Sequence, residues 1–335
     1  MEKIEWDPTS RQPIDVSKIG QERISIVEKD GVDKNGDSEL LIVGLANATV
    51  LKELQIYAFC RVDFPELRQC NSLTQLTLTG CESDVSLSLP NSLYCLTLYD
   101  CRFPKIQLPE GLNYFTWGSS IVAEPIWLPS EMHQVHIDGS LGKLPEFSNF
   151  PKQLLQLDFI NREGVVPVKF LSEFGLLKIG RLSLHGVQFL EDLTVESCKF
   201  LGVDNCAWDE GTEVNGNVRH LRSQSGSENG NPDFSRHFGN LSVEEKVYLS
   251  GWSLDEQELL GFCEACEEVF VSYYRGKDFP DLSGTKVRSL TVVFLPEVSE
   301  ILFSKLPTTL KRLDVGSKRN VDLTFAGQAG KKIVF

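Results

Sequence analysis

The chain has 335 residues, 41% of them hydrophobic and 24% charged, the composition of an ordinary globular protein. Lys and Arg number 33 against 47 Asp and Glu, for a formal charge of −14. That balance repels phosphate backbones and anionic lipid surfaces, so neither nucleic acid nor membrane is expected as a partner.

The amino-terminal stretch "MEKIEWDPTSRQPIDVSK" is polar and acidic. It lacks the positive n-region and apolar h-region of a secretion signal, and no apolar run approaches the ~20 residues of a membrane span. The nine cysteines are odd in number and scattered along the chain. Without secretion they read as free thiols in a reducing compartment, and the expected location is cytoplasmic. Residues 23–28 and 39–44 predict two strands joined by the turn "DKNGD". The segment 1–44 is read as an N-terminal cap covering the open end of a repeat core.

From 45 to 335 one pattern recurs. In "LPNSLYCLTLYDC", residues 89–101, Leu93, Leu96 and Leu98 are spaced three and then two. With Leu93 as position one, units begin at Leu51, Leu73, Leu93, Leu112, Met132, Leu154, Ile179, Cys198, Val218, Glu244, Cys266, Val287, Leu310 and Gly330. Position four is apolar in every unit, and position six in every unit but one, where it is Ser223. Two residues apart on a short strand, positions four and six point to the same side, inward, while position five points to solvent. One such unit cannot bury its own apolar face; stacked units bury a continuous core. Position nine is Cys81, Cys101 and Cys206 in three units, which predicts a small buried thiol at the corner. Pro90, Pro109, Pro129, Pro151 and Pro307 stand three residues before position one. Proline excludes helix there, so extended or 3-10 return segments are expected on the outer side.

A period of 20 to 29 residues with L-x-x-L-x-L is the leucine-rich repeat signature. The run L-P-x-x-L-x-x-L-x-[LVIF] resembles the short leucine-rich repeats of bacterial secreted effectors of the IpaH type, and is similar to FNIP repeats. The likeness is best over 87–160. It implies an α/β repeat, β-dominated: a leucine-rich repeat solenoid with a curved parallel sheet on the concave face and a mostly non-helical convex side. The sequence departs from the effector pattern in lacking Asn at most position-nine sites. It also shows no catalytic domain beyond the repeats, so ubiquitin-ligase activity is not carried over.

Two stretches depart from the pattern. Residues 207–240, with "RSQSGSENGNPDFSRHFGN", are rich in Ser, Asn and Gly and predict a flexible loop within the array. Residues 242–266 suggest a short helix with Ser253 as N-cap and Leu254, Leu259, Leu260 and Phe262 toward the core. The chain's last unit, with Ile333 and Phe335, predicts an edge strand with nothing on its far side.

No nucleotide-binding, hydrolase or zinc-protease motif occurs, so no catalysis and no cofactor are expected. Cys263-Glu-Ala-Cys266 is a lone CxxC without the second pair that a structural zinc needs. The candidate surface is instead the outward row of the sheet, positions three, five, seven and eight. Its polar members are Gln134, His136, Asp138, Asp158, Arg181, His185, Asp204, His220 and Arg222. Its aromatic members are Tyr57, Tyr99, Tyr114, Tyr248, Phe270, Tyr273 and Phe294. Tyrosine is a favoured rigid contact residue at interfaces. The function expected is non-catalytic recognition of a protein of basic or mixed charge on the concave face. The alternative is a target-recognition adaptor or secreted effector acting with a ubiquitin ligase or signalling complex. A solvated face without a partner, a metal or acid–base site on the His strip, and a structural subunit are the other readings.

Overall fold

A computed structural model describes residues 1–10, 12–29, 38–139, 147–148, 151, 153–162, 164–168, 178–225, 233–275, 279–294, 300–302, 305–317, 323–325 and 332–334. The chain forms two units, Met1–Glu163 and Gly164–Phe335. Each is a stack of β-solenoid turns that contributes one strand per turn to a parallel sheet.

In the first unit the strands follow chain order: Glu2–Trp6, Arg23–Glu28, Glu53–Tyr57, Gln75–Thr79, Cys95–Tyr99, Tyr114–Gly118, Gln134–Asp138 and Gln153–Ile160. All pair parallel and in register. The register aligns Leu54, Leu76, Leu96, Phe115, Val135 and Leu157 in one inward row. It aligns Ile56, Leu78, Leu98, Trp117, Ile137 and Phe159 in the next. Every one of these side chains is buried. Full burial of a Leu, Ile or Phe is worth about 1.5–3 kcal/mol, so the two rows are the main cohesive element of the unit.

The corners follow from the same units. The carbonyls of Pro90, Pro109, Pro129 and Pro307 accept from the N–H of Leu93, Leu112, Met132 and Leu310 at 3.1, 3.0, 3.2 and 3.2 Å. Ala48 and Cys70 close the same turn onto Leu51 and Leu73 at 3.1 Å, so proline fixes the corner's backbone but is not required for it. The exit corner, position eight, takes the left-handed conformation at Gly80, Asp100, Ser119, Gly186, Asn205, Gly251 and Tyr273. Small or short polar residues tolerate that conformation best, and Tyr273 is the strained exception. Of the position-nine thiols Cys81 and Cys101 are buried as expected, while Cys206 is half-buried. Cys101 Sγ donates to the Leu78 and Tyr99 carbonyls at 3.3 and 3.2 Å, and Cys206 Sγ to those of Leu184 and Asp204 at 3.6 and 3.4 Å.

Return segments in the first unit are short strands and 3-10 turns. Ile14–Asp15, Glu39–Val43 and Arg61–Asp63 form a second parallel sheet, with 3-10 turns at Val16–Lys18, Leu45–Asn47 and Leu67–Gln69. The hairpin expected from 23–28 and 39–44 therefore does not form. Arg23–Glu28 is a full member of the main sheet and Glu39–Val43 lies in the second one. The "DKNGD" stretch lies outside the described residues.

In the second unit Lys178–His185, Leu193–Asp204, Val214–Gln224, Leu241–Ser250, Glu268–Tyr274, Ser289–Phe294 and Arg312–Ser317 pair parallel in that order. Three expectations fail here for physical reasons. Residues 207–225 are not a loop: Ala207–Trp208 and the 11-residue strand Val214–Gln224 occupy them. Beyond residues 226–232, which lie outside the described set, the short helix Ser235–Phe238 is fixed by aromatic packing that its polar composition hides. His237 and Phe189 both stack on Trp208, at 4.6 and 4.2 Å, and His237 Nδ1 bonds the Thr212 carbonyl at 2.9 Å. In the unit of Glu244, a register shift puts Val243 in the buried place and leaves Glu244 exposed. The last unit is not another parallel turn. Leu323–Phe325 runs antiparallel beside Arg312–Ser317, and Lys332–Val334 antiparallel to Glu300–Leu302. Gly330 and Phe335 lie outside the described residues.

The helix after residue 250 is Glu256–Ala265, and Leu254, Leu259 and Cys263 are buried while Leu260 and Phe262 are half-buried. Its N-cap is Asp255 rather than Ser253. The Asp255 carboxylate accepts from Glu258 N–H at 2.9 Å, and the Glu258 carboxylate from Asp255 N–H at 2.7 Å, a reciprocal pair that Ser253, buried two residues earlier, does not make. No described helix is long and apolar enough to cross a membrane.

Ser223, the polar exception at position six, does point inward and is fully buried. Its hydroxyl donates to the Val203 carbonyl at 2.8 Å and accepts from Trp252 Nε1 at 2.9 Å. Ser223→Ala would strand the buried indole N–H and should cost about 1–3 kcal/mol. A thermal melt reads this directly; a variant as stable as the parent would show that the hydroxyl contributes nothing.

Candidate functional site

Outward side chains form rows because each strand matches its neighbour residue for residue. Stacked strands place such side chains about 4.8 Å apart. In the first unit one row runs Gln55, Thr77, Thr97, Thr116, His136 and Asp158. His136 Nδ1 lies 3.8 Å from Asp158 Oδ2, and Gln156 Nε2 donates to the same carboxylate. Gln134 stands between Tyr114 and Gln156 in the adjoining row. Tyr114 leans on Tyr94 with ring centroids 5.0 Å apart. On the other flank Tyr57 donates its hydroxyl to Gln55 at 3.2 Å, and the Tyr99 ring lies over Gly118. A Cβ at Gly118 would come within 2.0 Å of that ring, so any larger residue would displace Tyr99 from this position. Burial, and then the carboxylate of Asp138, push the Tyr99 phenol up.

The second unit carries the more continuous arrangement. Arg181 lies over the Phe200 ring, 4.6 Å from its centroid. Phe200 is opposite His220, whose Nε2 is 3.0 Å from Glu245 Oε2. One row outward, Arg222 sits 5.8 Å from the Tyr248 centroid and places Nε 3.4 Å from Asp204 Oδ2. Tyr248 stacks on Phe270 at 4.2 Å with the planes 9° apart. Thr291 and Asp314 continue that row. His185 is paired with Asp204 across the strands, and the charges of Arg222 and His185 both favour the Asp204 carboxylate. Burial outweighs them and pushes its carboxyl up, and Asp204 Oδ1 is buried without a hydrogen-bond partner among the described residues.

Most predicted surface residues therefore stand where position numbering put them. Two aromatic positions do not. Phe294 is fully buried, against Tyr274 at 5.6 Å. Position eight shares the parity of four and six, so where Ser289–Phe294 runs straight through it the side chain turns inward. Tyr273 is not a regular strand member but the extra residue of a bulge, with Ser272 and Tyr274 paired on either side of it. His185 and His220 stand in different rows two strands apart, so they form no common site. Among the described residues no group of three His, Cys, Asp or Glu is placed to hold a metal ion. Burial drives the Cys263 and Cys266 thiols up to about 12 and about 11, which keeps them protonated. Phe200, Glu245 and Tyr94 belong to the surface and were not singled out from sequence. Phe200 holds position three and could have been found by that rule; Glu245 could not, because its pairing depends on the local register shift.

No protein-family model, curated protein or solved structure matches the chain.

The raised Asp204 carboxyl makes a signed prediction. As pH rises past the ordinary carboxylate value of about 3.9 the unfolded chain releases this proton first, so stability falls until the folded carboxyl also ionises. Asp204→Asn should raise the melting temperature at neutral pH, and the gain should vanish below about pH 4. Equal gains at both values, or a loss at neutral pH, would contradict the burial assignment.

Proposed function

We propose that this chain is a non-catalytic recognition module of leucine-rich-repeat type that binds a partner protein on the outward face of its parallel sheet. The single observation carrying the reading is the row Arg222, Tyr248 and Phe270. It is a stacked, part-exposed aromatic pair with a guanidinium on one side, built on rigid strands. Aromatic and Arg side chains with little conformational freedom to lose are the usual anchors of protein interfaces. A solvated face has no need of them, and large apolar rings in open water carry a hydration cost.

The surrounding charges fit a partner of mixed charge. Lys246 pairs with Glu268 at 2.8 Å, Arg288 with Glu267 at 3.3 Å and Arg312 with Asp314 at 2.5 Å. Such exposed pairs contribute little to stability and can exchange partners on binding. Nucleic acid fits poorly. Tyr248 is already stacked on Phe270, and the neighbouring Glu267 and Glu268 repel phosphate. All nine cysteines are free, which supports a reducing, cytoplasmic setting.

Quantitative pull-down from lysate, comparing the parent with Tyr248→Ala and Arg222→Glu, tests this reading. Proteins that depend on the face should be depleted from both variants. For a purified partner, Tyr248→Ala should weaken affinity about 30-fold, the effect of an anchor worth about 2 kcal/mol. Exposed Trp127 lies on a return strand, so Trp127→Ala should leave binding unchanged. Identical captured sets from parent and face variants would refute the proposal.

A further inference from the structure

The strand Glu2–Trp6 is the outermost member of the first unit's main sheet. Arg23–Glu28 pairs with one side of it, and no described residue pairs with the other. In a strand, the N–H and C=O of one residue point to the same side, and successive residues alternate sides. The Trp6 carbonyl accepts from Lys29 N–H at 2.8 Å, so Glu2, Ile4 and Trp6 bond toward the neighbouring strand. Lys3 and Glu5 therefore direct their N–H and C=O groups to the open edge; their side chains, about 60% exposed, pair with each other at 3.4 Å in the single chain and would exchange that partner for the second copy's.

We propose that this edge pairs with the same edge of a second copy of the chain, antiparallel and centred on Ile4. A twofold contact between identical strands must be antiparallel, and it sets one patch against itself. With Ile4 facing Ile4 of the second copy, Lys3 faces the second copy's Glu5, and Glu5 its Lys3. Both are opposite-charge pairs, and both fall at the positions whose backbone groups are open. Each pair can thus exchange two main-chain hydrogen bonds. Sliding the register two residues either way sets Lys3 against Lys3 or Glu5 against Glu5. Like charges directly opposite are unfavourable, so the sequence selects one register.

Charged residues on an edge strand ordinarily block pairing. Here they block every nearby register but one. A contact built on a five-residue strand buries less than a standard interface, so the dimer should be weak and concentration-dependent. This contact uses the sheet edge rather than its face and does not depend on the recognition reading.

Sedimentation velocity on the full chain, from micromolar to millimolar concentration, tests it. The parent should pass reversibly from monomer to dimer. Lys3→Glu and Glu5→Lys should each stay monomeric with unchanged circular dichroism and melting temperature. Mixing the two variants should restore a dimer, because each then meets its opposite charge. Lys3→Pro, which removes an edge N–H that the monomer does not use, should also abolish dimerisation. A parent that stays monomeric at millimolar concentration overturns the proposal. So does a dimer that both single charge reversals leave intact, or a mixture that fails to recover it.

Discussion

A leucine at position four or six of one turn cannot be fully covered by its own turn. It leaves water only when the equivalent side chain of the next turn lies directly over it. Leu96 between Leu76 and Phe115, and Leu98 between Leu78 and Trp117, show the constraint. In-register parallel pairing, buried corners and the presentation of the opposite face all follow from meeting it. The hydrogen-bond ladder accepts this arrangement because each turn donates to the next, as Asp100 does to Gly118 at 2.9 Å. The ladder alone does not choose it, since backbone pairing would be equally satisfied one residue out of register, with every leucine in water.

The same constraint creates the rigid outward face to which we assign recognition. Once alternate residues are committed to the core, the remaining ones are held at fixed spacing on a rigid frame, with little freedom left to lose on binding. Arg222, Tyr248 and Phe270 gain their mutual geometry that way. They come from strands far apart in sequence and meet only through inter-turn register. A site of this kind has no sequence motif, because its neighbours are set by the repeat length between them.

How much could be read in advance depends on whether a residue's role is local. Leu96 and Leu98 were legible because parity on a strand decides burial. Cys101 was legible because its place at the corner recurs. Ser223 was recognisable only as an exception; its function became visible with Trp252 Nε1 beside it. Val243 and Glu244 could not be told apart, because a register shift changes parity without a composition signal. The strand at 214–224 is hidden in the sequence because its polar residues resemble a loop, while the contacts that order the segment, such as the stacking of Trp208 on His237, come from residues distant in sequence. At the surface, His136 and Arg222 were found by position number. Their partners Asp158 and Asp204 were named as well, but the contacts between them required the register.

Adjacent residues on one strand give the most direct test. Leu98 points inward and Thr97 outward. Leu98→Ala should cost about 2–5 kcal/mol in equilibrium unfolding, while Thr97→Ala should stay within about 0.5 kcal/mol of the parent. Comparable losses at the two positions, or a larger one at Thr97, would mean that the strand does not alternate between core and surface and that the stacked-turn account is wrong.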